Sequence, residues 1–162
     1  MAATSEVLAF DWGTNIIVIL DVLKNEYIPY INTEEMTNGA QRIVSSTGTI
    51  VSFNGNTKDL MEISKILGYS SEEELHLDCE HNDMLEITSD IRWPPKPGGG
   101  TIFGPGLRET YKHYFPDKEI ALPSYLRSNE ESANFEYILS NWRDCYMTAE
   151  LWIKWKSGEL TP

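Results

Sequence analysis

Between residues 76 and 83 the chain carries His76, Asp78, Cys79, Glu80, His81 and Asp83, side chains that can ligate a metal or move a proton. On an extended strand His76, Asp78 and Glu80 share one face and Cys79 points to the other. Three hard or borderline ligands on one face can catch a divalent ion. The segment contains neither C-x-x-C nor H-E-x-x-H, and one strand seldom supplies a whole ligand shell. The reading here is a solvated acidic hairpin edge, where charge also discourages unwanted strand pairing. Cys79 and Cys145 can be matched with His76, His81 or His113 for nucleophilic chemistry, but such pairs arise by chance in any chain of this size. No serine sits in G-x-S-x-G. The expectation is no catalytic residue, no metal and no cofactor.

Two other stretches have the residue types that handle phosphate. In Leu8-Ala9-Phe10-Asp11-Trp12-Gly13-Thr14-Asn15-Ile16-Ile17-Val18 an apolar run leads into Asp-x-Gly-Thr and a second apolar run returns. This resembles the first phosphate loop of the actin and sugar-kinase superfamily. The resemblance implies backbone approach to phosphate at Gly13, a donor at Thr14, and an Asp11 that handles a metal or its water. No second D-x-G-T occurs in the chain, and the same residue types also build a tight hairpin turn. Gly98-Gly99-Gly100-Thr101-Ile102-Phe103-Gly104-Pro105-Gly106 precedes a predicted helix, a place where an anion can bind. It lacks the Gly-Lys-Ser/Thr of a P-loop and the spacing of G-x-G-x-x-G. Asp11, Thr14 and loop 98–106 with a divalent ion define one reading of function, a small phosphate- or nucleotide-handling metal-dependent enzyme.

Charge suggests a different one. The 162 residues carry a formal net charge of −12. Residues 1–91 hold 16 acids and four bases, and residues 92–162 hold nine of each, so the whole excess lies in the N-terminal half. Eight acids and no Lys or Arg fall between Ile66 and Ile91. A field of that sign repels nucleic acid and anionic membrane surfaces and attracts a basic partner. It also keeps a protein soluble without binding anything. Two cysteines without close spacing are no disulfide framework, and residues 1–6 lack a basic segment followed by an apolar one. A cytoplasmic setting with free thiols is therefore expected.

The elements that would position these groups follow from periodicity. Val7–Phe10, Ile16–Leu20 and a run from Val22 interrupted at Pro29 read as strands, with Gly13 supplying a positive φ in the first turn. A weak helix begins at Thr33, its face formed by Met36, Ala40, Ile43 and Val44. Gly48–Phe53 reads as a strand ending in the turn Asn54-Gly55. A helix capped by Thr57 carries Leu60, Ile63 and Leu67 and stops at Gly68. Glu74–Cys79 and Met84–Trp93 read as strands joined by a loop over 80–83. Gly106–Phe115 and Ser128–Trp142 read as helices. Alternation of Met147, Ala149, Leu151, Ile153 and Trp155 predicts a closing strand, with Tyr146, Trp152 and Lys154 on its outer face. Pro94 to Gly100 cannot be regular, so an internal boundary falls at loop 94–106. The expected fold class is α+β, a single domain over 1–162 with a mainly antiparallel sheet and three to four helices packed on it.

The leading expectation is a non-catalytic acidic binding domain that occludes a basic protein, in the manner of an immunity protein neutralising a bacterial nuclease-like toxin. A DNA-mimicking inhibitor is a further alternative. The binding residues expected are Glu72, Glu73, Glu74, Asp78, Glu80 and Asp83, with Tyr146 and Trp152 as aromatic anchors. Neither direct nucleic-acid binding nor membrane association is expected.

Overall fold

The computed structural model describes residues 6–13, 15–92, 106–127 and 135–161, without the side chains at 56, 57, 72, 92 and 127. Thr14, residues 93–105 of the Pro/Gly loop and the proposed caps Ser128 and Asn129 lie outside the described residues.

The chain is mixed α+β. Strands β1 (Val7–Gly13), β2 (Ile16–Asp21), β3 (Glu26–Ile31), β4 (Thr49–Ser52) and β5 (Glu80–Asp83) form one sheet in the order β3-β2-β1-β4-β5. The first three are an antiparallel meander, while β4 pairs parallel to β1 and β5 parallel to β4. The sheet is therefore mixed, not mainly antiparallel. Parallel pairing needs crossover segments, and the helices over 33–66 supply them.

Six α-helices are described, not three or four: α1 (Thr33–Val44), α2 (Leu60–Ile66), α3 (Met84–Arg92), α4 (Leu107–Tyr114), α5 (Ser124–Arg127) and α6 (Phe135–Lys156). They cover both sheet faces. Leu8, Phe10, Ile17 and Ile19 point toward α1 and α2, where Met36, Ala40, Ile43 and Ile63 meet them. Val7, Ala9, Ile16, Val18 and Leu20 point the other way, against Ile138, Trp142, Cys145 and Leu151 of α6. With both faces covered, β2 is buried throughout and reads as an unbroken apolar run, IIVIL.

Several local expectations change. Asn15, not Gly13, takes the left-handed conformation in the β1–β2 turn, with φ of 59°; a short amide side chain tolerates that region. Gly68 ends α2 with φ of 85°, as its position after the apolar face implied. The loop expected over 80–83 is strand β5, and the strand expected from Met84 is helix α3, in which Met84, Leu85, Thr88 and Ser89 are buried. Those four recur at helical spacing. The alternation of Leu85, Ile87 and Ile91 that suggested a strand accompanies them by coincidence.

The closing strand over 147–155 is the C-terminal part of the 22-residue helix α6. This helix is covered on more than one side, so buried residues fall at 147, 148, 149 and 151 and its apolar positions no longer mark one stripe. Tyr146 and Trp152 accordingly do not share a strand face. Tyr146 stacks on Trp142 with ring centroids 5.1 Å apart, and Trp152 is half-buried with its indole Nε1 enclosed. Among the described residues, no helix is long and apolar enough to cross a membrane.

Candidate functional site

The C-terminal ends of parallel strands are where an α/β sheet presents ligands, because loops diverge there and leave a crevice. Three carboxylates arrive at that edge from separate parts of the sequence. Asp11 lies near the end of β1, on the face that α6 covers. Asp59 closes a π-helical turn, Gly55–Asp59, that links β4 to α2. Asp144 comes from the middle of α6. With Phe53, Asn54, Lys58, Leu85, Gly106 and Leu107 they line one cavity of about 300 Å³.

Local chemistry fixes the π turn. Asn54 takes the left-handed conformation at φ 69°. Gly55 follows because a Cβ there would collide with the Ser52 hydroxyl. Such one-turn departures from α geometry recur where a helix must present a side chain to a site. From β5, Asp83 reinforces the turn: its Oδ1 accepts from the Asn54 N–H at 2.7 Å and the Leu85 N–H at 3.0 Å. Beside it, Ser52 Oγ and His81 Nε2 are hydrogen-bonded at 2.8 Å.

The electrostatics are those of negative charge held out of water. Burial pushes the Asp11 carboxyl well above the usual carboxylate range, and Asp144 and Asp59 push it further. Burial likewise raises Asp59 to about 7, with Asp83 and Asp144 adding to the shift and Lys58 opposing it. Asp144 is raised by burial, against the pull of Arg108 and Lys58. Asp59 is 2% exposed, and its Oδ2 has no hydrogen-bond partner. A buried carboxylate oxygen left unpaired is costly unless a cation or a donor meets it.

Among the described residues, no group of three or more His, Cys, Asp or Glu is placed so that it could hold a metal ion as the side chains stand. The residues that would have to share a cation here are Asp11, Asp59 and Asp144. Oxygen-only ligands of this kind suit magnesium or manganese, which keep part of their water shell. Lys58 also borders a second cavity, of about 270 Å³, with Trp12, Gly13 and Glu62. Lys112, Lys118 and Arg143, together with Glu119, line a third of about 520 Å³ beside α4 and α6.

The residues predicted to bind a partner are differently placed. Glu73, Glu74, Asp78 and Glu80 are exposed along the segment leading into and opening β5. Asp83 is 4% exposed and faces the interior. Glu72 lies in the same 3-10 turn as Glu73 and Glu74. His76 is exposed and His81 half-buried, so the metal-capable residues of 76–83 do not converge. Of the phosphate-loop reading, Asp11 lines the carboxylate cavity and Gly13 borders the second cavity, which shares Lys58 with it. Asp59 and Asp144 escaped sequence reasoning because their partner lies 48 and 133 positions away. The one local trace was the turn dipeptide Asn54-Gly55 shortly before Asp59.

No protein-family model matches the chain, and no curated protein matches it.

Proposed function

We propose that the chain is a divalent-cation-dependent enzyme that hydrolyses phosphodiester bonds in a nucleic acid strand. The observation that carries this reading is the convergence of Asp11, Asp59 and Asp144 on one cavity, with the buried Oδ2 of Asp59 unpaired. Carboxylates that share a cation site hold one or two ions, which offset charge on a phosphate and supply a hydroxide nucleophile near neutral pH. The substrate class follows from the surroundings. Lys58 gives a positive group at the rim, and half-buried Trp12 lines the neighbouring cavity, where a base can stack. Arg108, which draws on Asp144, lies on α4 with Lys112, and Arg143 lies on α6. Of these cations, Lys58 and Arg108 are the ones whose charge reaches the carboxylates, and a phosphate can bridge to them there.

The test is hydrolysis of single-stranded oligonucleotides with magnesium or manganese, alongside calorimetric titration of manganese. Asp11→Asn, Asp59→Asn and Asp144→Asn should each reduce the rate by about 100-fold or more. An unaltered chain that neither binds manganese nor cleaves with either metal overturns the reading.

A second reading, capture of a basic protein, is favoured by one observation. Glu73, Glu74, Asp78 and Glu80 are exposed, and none forms an ion pair among the described residues. Reversing Glu73, Glu74 and Glu80 together should slow encounter with a basic protein and flatten its salt dependence. Equal capture by that variant removes this reading.

A further inference from the structure

Position 13 bears on the geometry of the carboxylate site without itself carrying a functional group. Gly13 pairs with Ile16 at the end of β1 and is not among the described glycines with a positive φ. The backbone therefore does not require glycine there. Space does. A Cβ at residue 13 would lie 2.7 Å from Asn141 Oδ1, 2.8 Å from Asn141 Nδ2 and 3.0 Å from Ile16 Cγ2.

Asn141 cannot readily step aside. It is 6% exposed, and its Nδ2 donates to the Tyr137 carbonyl at 2.7 Å. Swinging the amide away would leave a buried donor unpaired. The next turn of α6 is pinned as well, since the fully buried Cys145 donates its thiol to the Val18 carbonyl of β2 at 3.6 Å. Asn141 and Asp144 are three residues apart on this continuous helix, about 4.5 Å along its axis. Asp11 and Gly13 are two residues apart on the same face of β1. The contact between Gly13 and Asn141 thus sits one step from the pair of carboxylates on each element.

We propose that Gly13 is a positioning residue: its bare Cα lets α6 close onto β1, and that approach brings Asp144 to the same cavity as Asp11. The inference rests on the reading of Asp11, Asp59 and Asp144 as a cation site. A side chain at 13 forces the Asn141 turn outward, and a helix is stiff enough to carry the displacement to Asp144.

The experiment titrates manganese into the full-length chain, as unaltered protein, Gly13→Ala, Asn141→Ala and the double variant, with urea unfolding in parallel. Gly13→Ala should weaken manganese binding by about tenfold, as losses of supporting contacts around metal ligands do. Adding Asn141→Ala removes the obstructed group and should restore affinity to within about threefold of the unaltered chain. A purely structural role for Gly13 would lower stability and leave the affinity of the folded protein unchanged. Should Gly13→Ala not fold, Asn141→Gln presses on the same Cα from the helix side and should produce the same loss. Unchanged affinity in the folded variant, or a double variant no better than Gly13→Ala, overturns the proposal. Failure of the unaltered chain to take up manganese overturns the cation site and this proposal with it, a result distinct from uptake that Gly13→Ala leaves intact.

Discussion

The carboxylate of Asp83, at the end of β5, accepts the Asn54 backbone N–H at 2.7 Å across the sheet edge and so ties the last strand to the turn that presents Asp59. One side chain thereby links the acid-rich segment, in which Glu73, Glu74, Asp78 and Glu80 are exposed, to the interior of the candidate site. Asp83→Ala removes this bond and the 3.0 Å bond to Leu85 N–H, leaving buried donors unmet. Destabilisation of about 2–4 kcal/mol is expected, read as a lower urea midpoint with an unchanged slope. An Asp83→Ala chain as stable as the parent would show that the turn holds without it.

Asp59 should make the cation-free chain less stable as pH rises. Its ordinary pKa of 3.8 becomes about 7 in the fold. Between those values the folded chain holds a proton that the unfolded chain has lost, so unfolding free energy falls as pH rises across that window. Asp59→Asn removes the titration. At pH 8 and without divalent metal it should be more stable than the parent by roughly 2–4 kcal/mol. Thermal unfolding at pH 5 and pH 8 checks this, and a parent chain with the same pH slope as the variant contradicts it.

His81 works in the opposite direction. Burial lowers its pKa below the ordinary 6.5, with Asp83 opposing the shift. The unfolded chain then binds a proton more readily than the folded one, so the stability from a neutral His81 is lost as pH falls through 6.5 and below. His81→Gln, which can still bond Ser52, should flatten the acid side of the stability profile. An unaltered acid limb in that variant would assign the effect to other groups.

The two thiols should differ sharply in reactivity. Cys145 is fully buried, and its pKa is raised well above 9.0 by burial and by the Asp11, Asp144 and Asp59 charges. Cys79 is half-buried, with a smaller rise from the same first cause. A thiol reagent at pH 8 should modify Cys79 slowly and Cys145 only on unfolding. Rapid modification of both in the native chain would show that α6 lifts from the sheet.

Sequence alone determined the elements whose signals are local. The first two strands, the helix from Thr33, the helix ending at Gly68 and the strand before Asn54-Gly55 all follow from apolar periodicity and turn chemistry within a dozen residues. Composition likewise fixed the charge imbalance between the halves. What the tertiary structure decided was whatever depends on covering layers. The stretch over 147–155 alternates like a strand, yet it is the end of a helix packed on several sides, and β5 is too short and polar to announce itself. The candidate site belongs to the same class. Asp11 drew notice within its own loop, but Asp59 and Asp144 gain meaning only when parallel pairing of β4 to β1 and the docking of α6 on Gly13 bring three distant carboxylates around one desolvated space. Nothing in the spacing of those residues encodes that meeting, because it is produced by chain crossover and by the burial of both sheet faces.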